Sequence, residues 1–183
     1  MSMSITFPVL RLATVADISA LEALIPLSVR ALQAAHYSNE QMEAALGPVF
    51  GVHRQLISDG TNFVVEHDGE VVGCGGWSRR KAMYGGDRGR AGEDALLDPG
   101  TDPARIRAFF VHPDFARRGI GRRILAECES AIREAGFARM ELVATLTGEP
   151  LYASAGYEVL ERMDAPMPSG LTLQTVRMGK AVA

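Results

Sequence analysis

The sequence predicts an α/β protein built on a mixed, mostly antiparallel sheet with flanking helices. Three stretches carry that expectation. Residues 62–78 read as a hairpin: Asn62 to His67 is β-rich, Asp68-Gly69 is a two-residue turn, and Glu70 to Ser78 returns. Residues 104–145 run strand, loop, helix, strand, a βαβ unit with parallel strands and a right-handed crossover. Tyr157 to Leu160 and Leu171 to Met178 read as a closing pair of strands.

The remaining elements follow in order. Val9 to Ala13 reads as a short strand, and Thr14 caps a helix with Asp17 as a weaker capping-box partner. Ile18, Leu21, Ile25, Val29 and Leu32 recur at helical spacing. Pro26 is expected to kink this helix or split it in two. Ser38-Asn39-Glu40-Gln41 is a capping box opening a short helix that Gly47-Pro48 stops. Val49 to Ser58 adds a further helical turn or two before Asp59-Gly60. Gly73, Gly75 and Gly76 in the returning hairpin strand mark a bulge or a close backbone approach. Arg79 to Asp102 is a long glycine-rich loop, either functional or a plain surface loop.

Within the βαβ unit, Ala104 to Val111 alternates as a strand. Ile120, Ile124, Leu125, Cys128, Ala131 and Ile132 repeat at helical spacing up to Gly136, and Arg139 to Thr145 is the second strand. A short helix from Glu149 to Ala155 ends at Gly156.

Composition narrows the function. A length of 183 residues fits a single domain spanning 1–183, with 47% hydrophobic and 22% charged residues. The net charge of −3 provides no general attraction to nucleic acid or to an anionic membrane, so neither is expected as a partner. Cys74 and Cys128 lie far apart with no CxxC, which points away from disulfides and toward a reducing compartment. No apolar run reaches bilayer length and the N-terminus lacks a signal-peptide pattern, so the expected location is the cytoplasm. The four histidines show no zinc spacing, and no metal is expected.

The stretch Phe115-Ala116-Arg117-Arg118-Gly119-Ile120-Gly121-Arg122-Arg123 lies between the end of a strand and the start of a helix. Helix-start N–H groups lack intrahelical partners, and the aligned peptide dipoles make that end positive, so a phosphate is the natural guest. The glycines leave room and the arginines add charge. A P-loop would need GxxxxGK followed by Ser or Thr, which the chain lacks. A dinucleotide fingerprint would need a third glycine where Ile124 stands. A bare Gly-x-Gly would more often be a tight turn that starts a helix and binds nothing; the preceding strand and the arginines shift the balance toward an anion site.

Val111-His112-Pro113-Asp114-Phe115-Ala116-Arg117-Arg118-Gly119-Ile120-Gly121 resembles the acetyl-CoA motif of the GCN5-related N-acetyltransferases, which ends in Gln/Arg-x-x-Gly-x-Gly/Ala. Leu151-Tyr152-Ala153-Ser154-Ala155-Gly156-Tyr157 is similar to the family's second motif. Ala116 departs from the Gln/Arg position, and Thr145 stands near where many members carry asparagine. The resemblance implies a sheet splayed at its parallel pair and acetyl-CoA as co-substrate. It implies a cofactor site of Phe110, Val111, Arg117, Arg118, Gly119, Ile120, Gly121 and Arg122, with pantetheine lying along the strand before the loop. A backbone N–H near Phe110 or Val111 would meet the developing oxyanion. Tyr152 falls at the position of the general acid that protonates the leaving thiolate.

The implied reaction is acetyl transfer to an amine of a small molecule or peptide, and the resemblance admits a homodimer. The strand before the loop has no carboxylate at the family's usual base position; Glu141, His53, His112 or water are the substitutes. For the acceptor, Trp77, Arg79, Arg80 and Tyr84 suit an anionic group, whereas Glu40, Glu43 and Glu66 suit a cationic one. The alternatives are a non-catalytic acyl-CoA-binding module of the same fold and, more distantly, a nucleotide-binding protein of another fold.

Overall fold

The computed structural model describes residues 7–85 and 94–183. The expectations for the N-terminus therefore fall partly outside it, as do those for Gly86, Gly89 and Gly92 of the long loop.

The strands are β1 (Val9–Leu12), β2 (Asn62–His67), β3 (Glu70–Ser78), β4 (Ala104–Val111), β5 (Arg139–Thr145), β6 (Glu158–Pro166) and β7 (Thr172–Ala181). The helices are α1 (Ile18–Leu32), α2 (Asn39–Ala45), α3 (Arg54–Ser58), α4 (Ile120–Glu134) and α5 (Glu149–Ser154). One sheet holds the strands in the order β1-β2-β3-β4-β5-β7-β6. All neighbours are antiparallel except β4 and β5.

That parallel pair is brief. It joins Ala104 to Met140 and Arg105 to Glu141, and then the strands part. A bulge on β4 lies just beyond the junction. Against β3, Gly76 pairs with Arg107 and Cys74 with Phe110, so two steps on β3 oppose three on β4. Ala108 sits there at φ 60°. Such an extra residue bends its strand and increases the local twist. The expected bulge is thus present, with the extra residue on β4 rather than among the glycines of β3.

Those glycines serve the close approach. A Cβ on Gly73 would come within 2.6 Å of Ile120 Cγ2, and one on Gly75 within 2.9 Å of Ile124 Cγ2. The α4 helix therefore rests directly on the β3 backbone, and one core gathers there around Ile124, Leu125, Cys128 and Ile132. On the opposite face α1 buries Leu21, Leu24, Ile25 and Val29 in a second core.

Three details differ from expectation. Pro26 does not split the helix in two: α1 is continuous from Ile18 to Leu32. Its buried stripe against the sheet outweighs one missing hydrogen bond. The chain after Val49 is helical only from Arg54. The last two strands run well past the expected bounds. Edge strand β6 is largely solvent-exposed and includes Glu158, Glu161, Arg162 and Asp164, so it has no apolar alternation to reveal it.

Candidate functional site

Where β4 and β5 part, a cleft of about 710 Å³ opens. One side is formed by Ile106–Val111 of β4 and by the loop leading into α4; β5 and α5 close the other. Leu32 and Gln33 from the end of α1, Phe50, His53 and Met83–Gly85 also line it, with Ala165, Leu173 and Thr175 from β6 and β7.

The loop is shaped by local chemistry. Pro113–Phe115 makes one 3₁₀ turn, in which His112 Nδ1 accepts the Asp114 N–H at 3.2 Å. Arg117 and Gly119 then take φ values of 64° and 84°. Gly119 is the N-cap of α4 and supplies no side-chain cap, which leaves the first helical N–H groups for another acceptor. A Cβ on Gly119 would meet nothing within 4 Å. Gly121 differs: its Cβ would lie 3.1 Å from Leu151 Cδ2, so glycine there lets α5 close on α4.

The arginines divide. Arg117 and Arg122 line the cleft, and Arg122 is steadied by Ser154 Oγ at 2.9 Å. Arg118 lies over the Phe115 ring at 5.3 Å, and Arg123 donates to Pro8 O. Phe110 and Val111 both line the cleft. The Phe110 ring is buried edge-on to Phe50. The Val111 N–H donates to Ser28 Oγ at 3.3 Å, while the next amide, His112, crosses to Val72 O. Backbone groups alternate along a strand, so Val111 and Phe109 present theirs away from β3.

Tyr152 also lines the cleft. Its ring is held edge-on to Phe109 and Tyr157, each at 5.9 Å. Burial, and secondarily the nearby Cys128, push its phenol above the ordinary tyrosine value. It is therefore protonated throughout the neutral range.

The other sequence candidates separate clearly. Glu141 sits between Arg105 and Arg177 at 3.1 and 3.3 Å, outside the cleft lining, and His112 is outside it too. His53 lines the cleft, with Nε2 3.5 Å from Arg107 Nη2. Of the acceptor candidates, Tyr84 lines the cleft. Trp77 is in the core with Arg79 stacked on it, and Arg80 pairs with Asp59 at 2.8 Å. Glu43 pairs with Arg30 and Glu66 with Arg11, and Glu40 is exposed on α2; none of the three lines the cleft.

Two lining residues had no place among the sequence candidates. Arg107 is 3% exposed and donates to Ala82 O and Gly85 O at 2.7 and 2.8 Å. An arginine between Ile106 and Ala108 in a central strand was the available signal. Gln33 follows α1, and its buried Oε1 has no hydrogen-bond partner. No motif marks it.

The model of the acetyltransferase (GNAT) domain family matches residues 58–159. The chain belongs to that family. Acetyl transfer is the chemistry of GNAT domains, and the matched segment runs from the end of α3 to the start of β6, enclosing the β4–β5 opening and both sequence motifs.

Solved structures share the fold. A GCN5-related N-acetyltransferase from Rhodopseudomonas palustris aligns with a TM-score of 0.71 at 22% identity, covering 99% of each chain. The PaiA N-acetyltransferase of Thermoplasma acidophilum, in complex with coenzyme A, aligns at 0.66 and 16% identity, over 96% of this chain and 99% of the other. YncA of Salmonella typhimurium, solved with its cofactor acetyl-CoA, aligns at 0.64 and 17% identity, over 97% of this chain and 95% of the other. No curated protein matches the sequence.

Proposed function

We propose that this GNAT protein is an acetyl-CoA-dependent N-acetyltransferase, a single domain over 1–183, acting on an amine of a small molecule or peptide. The observation that carries the reading is the cleft at the parted β4–β5 pair, with an uncapped helix start at one side. A CoA thioester suits this lining. Open space at Gly119 and free helix-start amides suit a pyrophosphate, and the apolar strand edge suits a pantetheine arm. Bound there, the thioester supplies an activated acetyl group.

The chain's own groups divide the work. The backbone of Gly119, Ile120 and Gly121 donates to the pyrophosphate, and Arg117, Arg118 and Arg122 add positive charge. Val111, whose backbone faces away from β3, positions the arm and the acetyl carbonyl, and Phe110 forms the wall beside them. Tyr152 keeps its proton at neutral pH and presents it to the departing sulfur. The two unpaired, buried cysteines fit the cytoplasm as the site of action.

The absence of a carboxylate on β4 favours one other reading, a non-catalytic acyl-CoA-binding module. Calorimetric titration with acetyl-CoA, with NAD and ATP as competitors, followed by a CoA-release assay over amine acceptors, separates the two. Binding without competition by NAD, together with CoA release, is expected. Binding with no release for any amine would leave the module, and no binding would remove both.

A further inference from the structure

One polar side chain interrupts the apolar face that α1 turns to the sheet. Leu21, Leu24, Ile25 and Val29 are buried there, and Ser28 is buried among them at 4% exposure. Ser28 also lines the cleft, where its hydroxyl reaches β4. We propose that Ser28 is a further catalytic residue: its hydroxyl, anchored on the Val111 N–H, donates a hydrogen bond to the thioester carbonyl oxygen of acetyl-CoA and stabilises the negative charge that gathers there during transfer. The inference rests on the acetyltransferase reading above.

The anchor is the first argument. The pairing of β4 with β5 ends at Arg105, so the Val111 amide, which faces away from β3, has no neighbouring strand to donate to. Ser28 Oγ accepts it instead, at 3.3 Å. The backbone amide expected to meet the oxyanion is thus already shared with a side chain from α1.

The hydroxyl proton is the second. A serine oxygen carries one proton and two lone pairs. The Val111 N–H occupies a lone pair and leaves the proton to be donated. Serines inside helices commonly give it to the carbonyl four residues back. Among the described residues, the bond from Val111 is the one hydrogen bond of the Ser28 side chain, and nothing takes its proton. The O–H is therefore able to turn toward the cleft. Accepting an N–H also makes it a stronger donor, since chained hydrogen bonds polarise one another.

The spacing is the third. Two donors 3.3 Å apart can both meet one oxygen at ordinary hydrogen-bond distance. Converging donors of that kind stabilise an oxyanion. Tyr152 lines the same cleft and serves the sulfur, so the carbonyl oxygen and the leaving group have separate donors. As the amine nitrogen bonds to the carbonyl carbon, the π electron pair moves onto the oxygen that Ser28 holds; the pair returns as the C–S bond breaks. Ser28 keeps its proton throughout. The one proton lost by the amine balances the one gained by the thiol.

The test binds acetyl-CoA, isotope-labelled in its acetyl carbonyl, to the full chain and reads the carbonyl stretch by difference infrared spectroscopy. Ser28→Ala removes the hydroxyl and suits a helix, and Ser28→Cys keeps the shape with a weak donor. The stretch is expected at lower wavenumber in the wild type than in Ser28→Ala, with Ser28→Cys between them. With the amine that gives the fastest CoA release, kcat should fall about a hundredfold in Ser28→Ala, the effect of one oxyanion donor. The Kd for CoA, which lacks the thioester carbonyl, should stay nearly unchanged. That Kd shows whether the site is intact, so the comparison is read in whichever variant retains it. A serine that only satisfies the Val111 amide would lower stability without moving the carbonyl stretch. An unmoved stretch or an undiminished kcat, with CoA binding intact, would overturn the proposal. Failure of the wild type to bind acetyl-CoA, or binding without CoA release for any amine, would instead strike the acetyltransferase reading, and this inference with it.

Discussion

Tyr152 shows how one side chain is prepared by its surroundings. Phe109, Tyr157 and Cys128 enclose it, and the loss of solvent disfavours the phenolate. Its proton is thus retained well above neutral pH, and a rise to pH 9 does not ionise it. Removing the hydroxyl while keeping the ring preserves the packing. Tyr152→Phe should lower kcat by about a hundredfold, within the range of general-acid contributions, and leave the calorimetric Kd for acetyl-CoA nearly unchanged. Equal kcat across pH would remove the tyrosine from the chemistry. Position 152 was legible from its spacing to Gly156-Tyr157, whereas Arg107 was not, because its partners Ala82 and Gly85 come from a distant loop.

Elements begin and end through local chemistry that the chain spells out. Ser38 accepts the Gln41 N–H and Gln41 Oε1 accepts the Ser38 N–H, the reciprocal capping box that S-x-x-Q predicts. The entry to α1 is tied more strongly. Asp17 accepts the Thr14 N–H and also receives two bonds of 2.8 Å from Arg11, whose guanidinium holds the Asp17 carboxyl down to about 2. A carboxyl with a lowered folded value stabilises the fold at pH above its unfolded value and loses that contribution as pH falls. Asp17→Asn should therefore be about 1–2 kcal/mol less stable at neutral pH by urea denaturation, the partly exposed Arg11 keeping the figure modest. That gap should close as the pH drops from about 4 toward 2. A gap independent of pH would mean that Asp17 acts through its cap geometry alone.

Across the whole molecule, a sheet that is continuous on both flanks is interrupted at its centre. Two residue pairs hold β4 to β5, and the bulge at Arg107–Phe110 carries β4 away. The α4 helix, pressed onto Gly73 and Gly75, sets its first turn beside that gap. A ligand lying across the gap ties the two halves of the sheet together in the native state only. At a hundredfold excess over its Kd, acetyl-CoA should add about 2.7 kcal/mol of stability. For a domain of this size that raises the melting temperature by about 5–10 °C. NAD at the same concentration should produce no shift, and an equal shift would assign the loop to phosphates in general.

The hairpin, the strand–loop–helix–strand unit, the caps and the glycine-rich helix start could all be read from local pattern, because each depends on interactions among residues close in sequence. Edge strand β6 escaped because a solvent-exposed strand needs no apolar alternation. The continuity of α1 through Pro26 escaped because it rests on packing against the sheet. The gap between β4 and β5 depends on the register across β3 and β4, where one extra residue turns a strand. The lining of the cleft depends on that gap: it brings α1, the start of α3, residues 83–85 and β4 to one surface. Sequence adjacency determined the turns, the caps and the helix starts, and long-range packing decided which buried side chains face one another across the site.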